Sequence, residues 1–419
     1  MLDILYQLGI KMYAGAIKLA SVFSPKAGLW LAGRKNWEAK LKEAVKSHNS
    51  WIWFHCASLG EFEQARNLIE YLKEQEKEVG ILLSFFSPSG YEIRKNYAYA
   101  DYICYLPIDS RKNARSFISL LRPKLACFVK YEIWINYIEE MCKQEVPAIL
   151  LSARVRPNSS FFKSLLSPLY KKAFASFTHI FTQDEISKEL LSSFSQNTQI
   201  SVSSDTRYDR VLSTKKNFTE IAEVKSFKGN KLCIVCGSTW PKAEKMLIEA
   251  FIRLSKEYEL CMILAPHEIR ESRIQAWIAS YPEISLAFSN IGQLNKGHNL
   301  LWIDNIGMLS RLYHYGDIAY VGGGWGSGLH NILEAASFAC PVLIGPKHEK
   351  FPEAAEMIEA GGCFEIRDQE SLEKQLRILI EEEELRSSVN RINTSFISSR
   401  SGATDLVISW MKKEGFINN

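Results

Sequence analysis

Residues 318–346, IAYVGGGWGSGLHNILEAASFACPVLIGP, decide the fold class. Ile318, Ala319, Tyr320 and Val321 make an apolar run with the length of a buried strand. A glycine cluster follows: Gly322, Gly323, Gly324, Gly326 and Gly328. The spacing beyond it predicts an amphipathic helix, and residues 341–344 predict a second buried strand. Strand, glycine turn, helix and strand form a βαβ unit, which requires parallel sheet. Glycines at a strand's carboxyl end let backbone N–H groups approach a ligand closely, and the start of the next helix carries partial positive charge suited to a phosphate. His330, Asn331 and Glu334 fall within one helical turn, and the i, i+4 spacing puts His330 and Glu334 on one face. Taken locally, the pattern supports a nucleotide site and a capped tight turn equally well.

The residues before this stretch repeat its logic. Strands are predicted over 232–236, 261–264 and 300–303, with a helix over 243–254. Two further turns close predicted strands, Gly237-Ser238-Thr239 and Pro266-His267, and make three with the glycine turn from Gly322 to Gly328. The first offers two hydroxyls, the second an imidazole on a proline turn. The glycine turn leads to Asn331 and Glu334, and a carboxylate in that place can accept from both ribose hydroxyls.

The first half alternates in the same way. Strands are predicted over 51–56, 80–86, 102–106, 125–129, 147–151, 180–182 and 200–202, separated by helices. A polar segment, 203–231, is expected to connect the halves and to hold a helix. Repeated short strands and helices imply two doubly wound halves, with ligand loops at the carboxyl edges of both sheets facing a shared cleft. Ser58-Leu59-Gly60-Glu61 follows the first strand, so Glu61 sits in a first helical turn, where the helix dipole favours its ionised form. It is either a general base facing the cleft or an ordinary N-terminal helix acid.

The bulk numbers bound these readings. With 419 residues the chain is long enough for two or three cores, and a net charge of +4 does not suggest a dedicated nucleic-acid binder. Nine cysteines lie mostly in apolar runs, as expected of reduced core thiols in a cytosolic compartment. Cys233 and Cys236 have CxxC spacing, but a strand splits them across its two faces, which argues against metal or redox use. His267, His330, His348 and Glu334 lack the spacing of a metal set. His55, inside WIWFHCAS, is expected to be a buried strand histidine. Residues 1–34 are strongly apolar but interrupted by Lys11 and Lys18, with no uninterrupted span of ~18 apolar residues for a membrane crossing. Their lysines, tryptophans and basic flank fit a helix lying in a membrane interface. Arg154, Arg156 and Lys163 make either a solvated face or a grip for an anionic lipid head group.

Together these motifs resemble the 3-deoxy-D-manno-octulosonic acid (Kdo) transferases. The likeness covers almost the whole chain. It rests on Ser58 to Glu61, Ser87-Pro88-Ser89-Gly90, Tyr105-Leu106-Pro107-Ile108-Asp109, Glu132-Ile133-Trp134-Ile135-Asn136, Ser152-Ala153-Arg154, Gly237-Ser238-Thr239, Asp304-Asn305-Ile306-Gly307-Met308, Val321 to Gly324, His330 to Glu334 and Pro341 to Pro346. The sequence departs from the family pattern at Lys130-Tyr131-Glu132, where Glu-Thr-Glu is frequent, at Pro266, where an Arg is common, and at Leu329, where a Gly is.

The resemblance implies an α/β fold of the GT-B glycosyltransferase type, two Rossmann-like domains facing a central cleft. It implies an inverting enzyme that moves Kdo from CMP-Kdo to lipid A or its tetra-acylated precursor in lipopolysaccharide inner-core synthesis, without a metal or other cofactor. Glu61 would be the catalytic base. Gly237, Ser238, Thr239, His267, Gly307, Met308, Gly323, Gly324, Asn331 and Glu334 would bind the donor, with Glu334 on the ribose and Gly307 and Met308 by the cytosine. Ser58, Gly60, Ser87, Glu132 and Arg154 would be acceptor-side or structural. Expected partners are CMP-Kdo, a lipid A precursor and a membrane surface, at the cytoplasmic face of the inner membrane; no nucleic acid is expected. The expected organisation is a membrane-associating helix over 1–34, an acceptor domain over 35–205, a CMP-Kdo-binding domain over 206–400 and a C-terminal helix over 401–419, with packing back on the first domain an option. With the base in one half and the donor in the other, domain closure is expected. The alternatives are another GT-B sugar-nucleotide enzyme, such as a UDP-sugar transferase or epimerase, and a non-catalytic membrane-bound relative.

Overall fold

The computed structural model describes residues 1–195, 198–326 and 328–418. The chain divides into two units, Met1–Arg210 with Ser401–Asn419, and Val211–Arg400. The first unit holds a seven-stranded sheet built from β1 (Ser50–Cys56), β2 (Val79–Phe85), β3 (Tyr102–Tyr105), β4 (Leu125–Val129), β5 (Ala148–Ala153), β6 (His179–Thr182) and β7 (Gln199–Val202). All pairings are parallel, in the order β3-β2-β1-β4-β5-β6-β7. The near-continuous apolar runs are explained by burial on both faces. Within β1, Trp53 joins one core layer while Ile52 and Phe54 join the other, following the two-residue period of a strand.

The second unit repeats this plan with β8 (Leu232–Thr239), β9 (Leu260–Pro266), β10 (Ser285–Ala287), β11 (Leu300–Trp302), β12 (Ile318–Val321), β13 (Val342–Ile344) and β14 (Cys363–Glu365). Its order is β10-β11-β9-β8-β12-β13-β14, again parallel. This is a two-domain Rossmann-like α/β architecture of the GT-B type. The strand order reverses between β1 and β4 in the first sheet and between β8 and β12 in the second, whose edge strands β11 and β10 are also out of sequence. Ligand crevices of open α/β sheets lie outside the carboxyl ends of the strands at such points. The first unit places Ser58, Glu61 and Lys130 to Trp134 there; the second places Ser238 and the glycine turn there.

Several details differ from the sequence reading. Gly237-Ser238-Thr239 is not a free turn but the end of β8, where the register against β9 shifts and Ser238 takes φ 52°. The helix after the glycine turn is short, Ile332–Ser337, because Asn331 caps it only after the loop has folded back. His330 therefore precedes the helix, and the shared-face argument for His330 and Glu334 does not hold. The polar connection contains two helices, Thr206–Lys216 and Ala222–Lys228, and the boundary between units falls inside the first.

The ends of the chain both belong to the first unit. The helix Ala403–Lys413 puts Val407, Ile408, Trp410 and Met411 into the same core layer as Leu68 and Phe181. Asp209 holds its start, accepting from the Gly402 N–H and from both the N–H and hydroxyl of Thr404. Residues 1–34 form the helices Leu2–Ala20 and Pro25–Ala32. Tyr6 donates to the buried Asp109, Gln7 donates to Asn136 at 2.6 Å, and Asp3 pairs with Arg111. Trp30 and Arg34 also point inward, contrary to an interfacial role for the whole segment. The Arg34 guanidinium lies 3.7 Å over the Trp30 ring and donates to the Phe86 and Leu106 carbonyls. Burial pulls Arg34 down to about 9, the cost of a cation held inside by dipoles and rings. The outer face of the first helix stays apolar and exposed, with Ile4, Leu8, Met12 and Leu19 on it. Among the described residues no helix is long and apolar enough to cross a membrane.

Candidate functional site

In the first unit β1 delivers the chain to Ser58, which starts the helix Leu59–Gln75. Glu61 reaches back to this start: its Oε2 accepts from the Ser58 N–H at 2.8 Å and from the Ser58 hydroxyl. This is a capping-box arrangement, so the structural reading of Glu61 is real. It also fixes the carboxylate while leaving Oε1 with no hydrogen bond from a described residue. Gly60 keeps the approach open: a Cβ there would meet only the Ser58 Oγ, at 3.8 Å. Ser87 caps the neighbouring helix Pro88–Arg94 and ties its own turn to the first through a Ser87 N–H to Ala57 carbonyl bond of 2.8 Å.

Beside them, after β4, Lys130 takes φ 59°, and Ser152 at the end of β5 takes φ 50°. Side chains rarely adopt this region, and such strain gathers at working sites. The turn at Lys130 presents Tyr131 and Glu132. The Glu132 Oε2 accepts from the Trp134 indole at 2.9 Å and lies 3.5 Å from the His55 Nε2. His55 is fully buried and its Nδ1 lies 2.9 Å from the Ser84 Oγ, which already accepts from Trp53. The Ser84 hydroxyl also lies 3.3 Å from the Phe54 carbonyl oxygen, and the His55 Nε2, though close to Glu132, makes no hydrogen bond to a described residue. Position inside an apolar strand hid this contact; no spacing in the sequence joins residues 55, 84 and 132.

Arg154 lies 3.4 Å from Asp184 and, with Arg156 and Asn158, lines a small cavity of about 390 Å³. Asp205 is buried, which alone would raise it; the Arg207 charge and hydrogen bonds from Arg207 and Gln64 outweigh burial and hold it below the usual carboxylate range. Arg207 is thereby fastened beside the Glu61 helix, through Gln64 one turn on. Burial pushes the Tyr131 hydroxyl up, as does Glu61, while Arg154, Arg207 and Arg156 pull it down. The Lys130 ammonium lies 5.9 Å from the centre of the same exposed ring.

The second unit works with backbone rather than carboxylates. Gly323 has φ 96°, and a Cβ on it would lie 1.9 Å from the Gly328 carbonyl oxygen. Gly322 packs so closely on Ser238 that a Cβ would fall 2.0 Å from its carbonyl oxygen. The glycines thus fold the loop onto itself and onto β8, and Gly324 likewise meets the backbone of Gly345. Asn331 accepts from the Leu333 N–H and donates to Glu334 at 3.1 Å, so these two donor candidates form one pair. The following helix is too short for the dipole argument to carry much, and the loop itself is what can meet a phosphate. Of the hydroxyl pair, Ser238 is half-buried at the strand end, but Thr239 turns inward to the buried Glu244. Gly237 is required by packing, since a Cβ would strike the Tyr313 hydroxyl.

His267, exposed after β9, stacks between Trp240 and His330, with ring centres 4.8 and 4.3 Å away. Burial, then the neighbouring His267, pull His330 down to about 4, so its ring is neutral near pH 7. Its buried Nε2 has no hydrogen-bond partner among the described residues. Gly307, with φ 96°, and the buried Met308 follow β11, the strand beyond β9. Among the described residues no group of three or more His, Cys, Asp or Glu is placed to hold a metal.

Residues 35–210 match a family model described as 3-deoxy-D-manno-octulosonic-acid transferase (kdotransferase). A 3-deoxy-D-manno-octulosonic acid transferase of Aquifex aeolicus is 29% identical over 343 residues, covering 81% of this chain and 88% of that protein. A bifunctional glycosyltransferase/methyltransferase of Fusobacterium nucleatum is 27% identical over 388 residues, covering 88% of this chain but 58% of its own length. Among solved structures, the UDP-GlcNAc 2-epimerase of Neisseria meningitidis bound to UDP-GlcNAc superposes with a TM-score of 0.61 at 15% identity, covering 87% of this chain and all of that one. That likeness concerns the fold.

Proposed function

The chain belongs by sequence to the 3-deoxy-D-manno-octulosonic acid transferase family, and on that premise we propose that it is an inverting glycosyltransferase moving Kdo from CMP-Kdo to lipid A or its tetra-acylated precursor. The observation that carries the reading is Glu61: a carboxylate pinned through one oxygen, with the other accepting no hydrogen bond from a described residue, at the point where the first sheet reverses its strand order. In this scheme Glu61 takes the proton of an acceptor sugar hydroxyl. The hydroxyl oxygen forms the new bond to the anomeric carbon of Kdo as the bond to the CMP phosphate breaks, and CMP leaves with the electron pair. Single displacement inverts the anomeric centre. The backbone of the glycine turn and the unpartnered Nε2 of His330 face the departing nucleotide, and Glu334, paired with Asn331, holds the ribose. No step calls for a metal. The protein works at the cytoplasmic face of the inner membrane, held by the exposed apolar face of its first helix and the lysines along it.

Incubation with CMP-Kdo and a lipid A precursor, followed by mass spectrometry of the lipid, tests this directly. Glu61→Ala should abolish transfer while CMP-Kdo still binds; turnover retained in that variant removes Glu61 from the mechanism. The solved structures that share the fold favour a second reading, a UDP-sugar enzyme. Stronger thermal protection by UDP than by CMP would establish it over the first.

A further inference from the structure

The first unit contains a cavity of about 470 Å³, within the ~300–1,000 Å³ of small-molecule sites. Gly9 and Tyr13 of the first helix line one side, Phe86 and Trp134 another, and Tyr170 a third. The rings form a continuous wall: Tyr13 stacks on Phe86 at 6.1 Å and Phe86 meets Trp134 at 4.7 Å. Two of its polar groups are committed, Tyr6 to Asp109 and the Trp134 indole to Glu132, while the hydroxyls of Tyr13, Tyr131 and Tyr170 sit on otherwise aromatic walls. Most of the lining is apolar, a surface that an alkyl chain covers without needing hydrogen bonds. Gly9 has nothing within 4 Å of where its Cβ would stand, so a notch opens in the helix over the cavity. Glycine costs a helix interior about 1 kcal/mol against alanine.

Position supplies the second half of the case. Tyr131 and Glu132 line the cavity, and the Lys130 ammonium lies 5.9 Å from the Tyr131 ring centre. One end of the cavity thus carries charged groups, while its helix wall continues into the exposed apolar face at Leu8 and Met12. Apolar walls ending in a charged mouth complement an amphiphile.

We propose that this cavity holds one acyl chain of the acceptor lipid, with the anionic head directed past Tyr131 towards Glu61. The assignment to the acceptor rests on the transferase reading above; the alkyl site itself does not. Holding a chain here fixes how far the head can travel, so the cavity selects acylated over deacylated acceptors.

The test uses the full chain and a fluorescent dansyl-undecanoate probe, displaced by fatty acids of increasing length. Affinity should strengthen about three- to fourfold per methylene and then level off when the cavity is full. Gly9→Phe, which fills the notch, should weaken the probe at least tenfold with an unchanged melting temperature. In transfer assays the same variant should raise KM for an acylated acceptor and leave a deacylated one unaffected. Affinity that keeps rising with chain length, or a Gly9→Phe variant that binds the probe like wild type, would show surface partitioning and overturn the site. Complete displacement by phosphatidylethanolamine–phosphatidylglycerol vesicles would give the cavity to bulk lipid and overturn the acceptor assignment. Saturable, Gly9→Phe-sensitive probe binding in a chain with no transferase activity would defeat the functional reading but keep the alkyl site.

Discussion

The two units carry the same sheet plan but finish it in different chemistry. At the reversal point of the first, side chains do the shaping. Ser58 pins Glu61, His55 and Trp134 face Glu132, and Gln64 with Arg207 holds Asp205. At the reversal point of the second, backbone does it. Glycines bring the loop onto Ser238 and onto itself, and the nearest titratable group is an imidazole kept neutral. A carboxylate can move a proton; a preformed backbone loop can only bind and stabilise charge. On the proposed function, this difference would put the reaction in the first unit and donor recognition in the second.

The sharpest way to break this division is to exchange losses between units. Glu61→Ala should cost transfer ~10²–10⁴-fold, the range of a general base, with donor affinity kept. Glu334→Ala should instead weaken CMP binding. Isothermal titration alongside initial rates separates the two, and equal loss of donor affinity in both variants would dissolve the distinction. A second contrast uses glycines. Gly323→Ala forces a Cβ onto the Gly328 carbonyl at φ 96° and should cost roughly 1–3 kcal/mol of stability, together with donor binding. Gly60→Ala meets open space in a helix and should stabilise by up to ~1 kcal/mol while lowering transfer. Calorimetry of the two variants would show whether the melting temperature moves in opposite directions.

A smaller effect is expected at His55. His55→Phe keeps the volume but removes the imidazole that bonds Ser84 and lies 3.5 Å from Glu132, and transfer should fall about tenfold with unchanged donor affinity, the size of one lost hydrogen bond at ~1.4 kcal/mol. A pH effect of opposite sign is expected in the two units. His330 stands at about 4 folded against 6.5 unfolded, so the unfolded state binds the extra proton and the second unit loses stability as pH falls from 6.5 towards 4. Asp109 stands at about 6 folded against 3.8 unfolded, mainly through burial, so its contribution favours the first unit in acid and is lost as pH rises through 6. Hydrogen exchange at pH 5 and pH 7 should show the two shifts, and His330→Ala and Asp109→Asn should each erase its own.

The sequence carried the alternation of strands and helices, because apolar runs and glycine turns are local signals. The glycine stretch was legible as strand, turn and strand for the same reason. What it hid were choices made across distance. Ser238 and Thr239 look alike in sequence, yet one lies half-buried at the strand end and the other is buried against Glu244. Trp30 and Arg34 look like interface anchors until the Phe86 and Leu106 carbonyls supply partners. The His55 contact with Glu132 joins two strands and a turn, and periodicity says nothing about which turn residue will lie opposite.

The return of the helix Ala403–Lys413 to the first unit has a consequence for biosynthesis. The second unit is one continuous segment and can complete itself as it emerges from the ribosome. The first cannot: the apolar surface at Leu68 and Phe181 stays uncovered until nearly two hundred further residues have been translated. The half that carries the candidate base is therefore completed after the second unit is already made, and a chaperone that shields that surface in the interval would raise the yield of native protein more than one acting on the second unit.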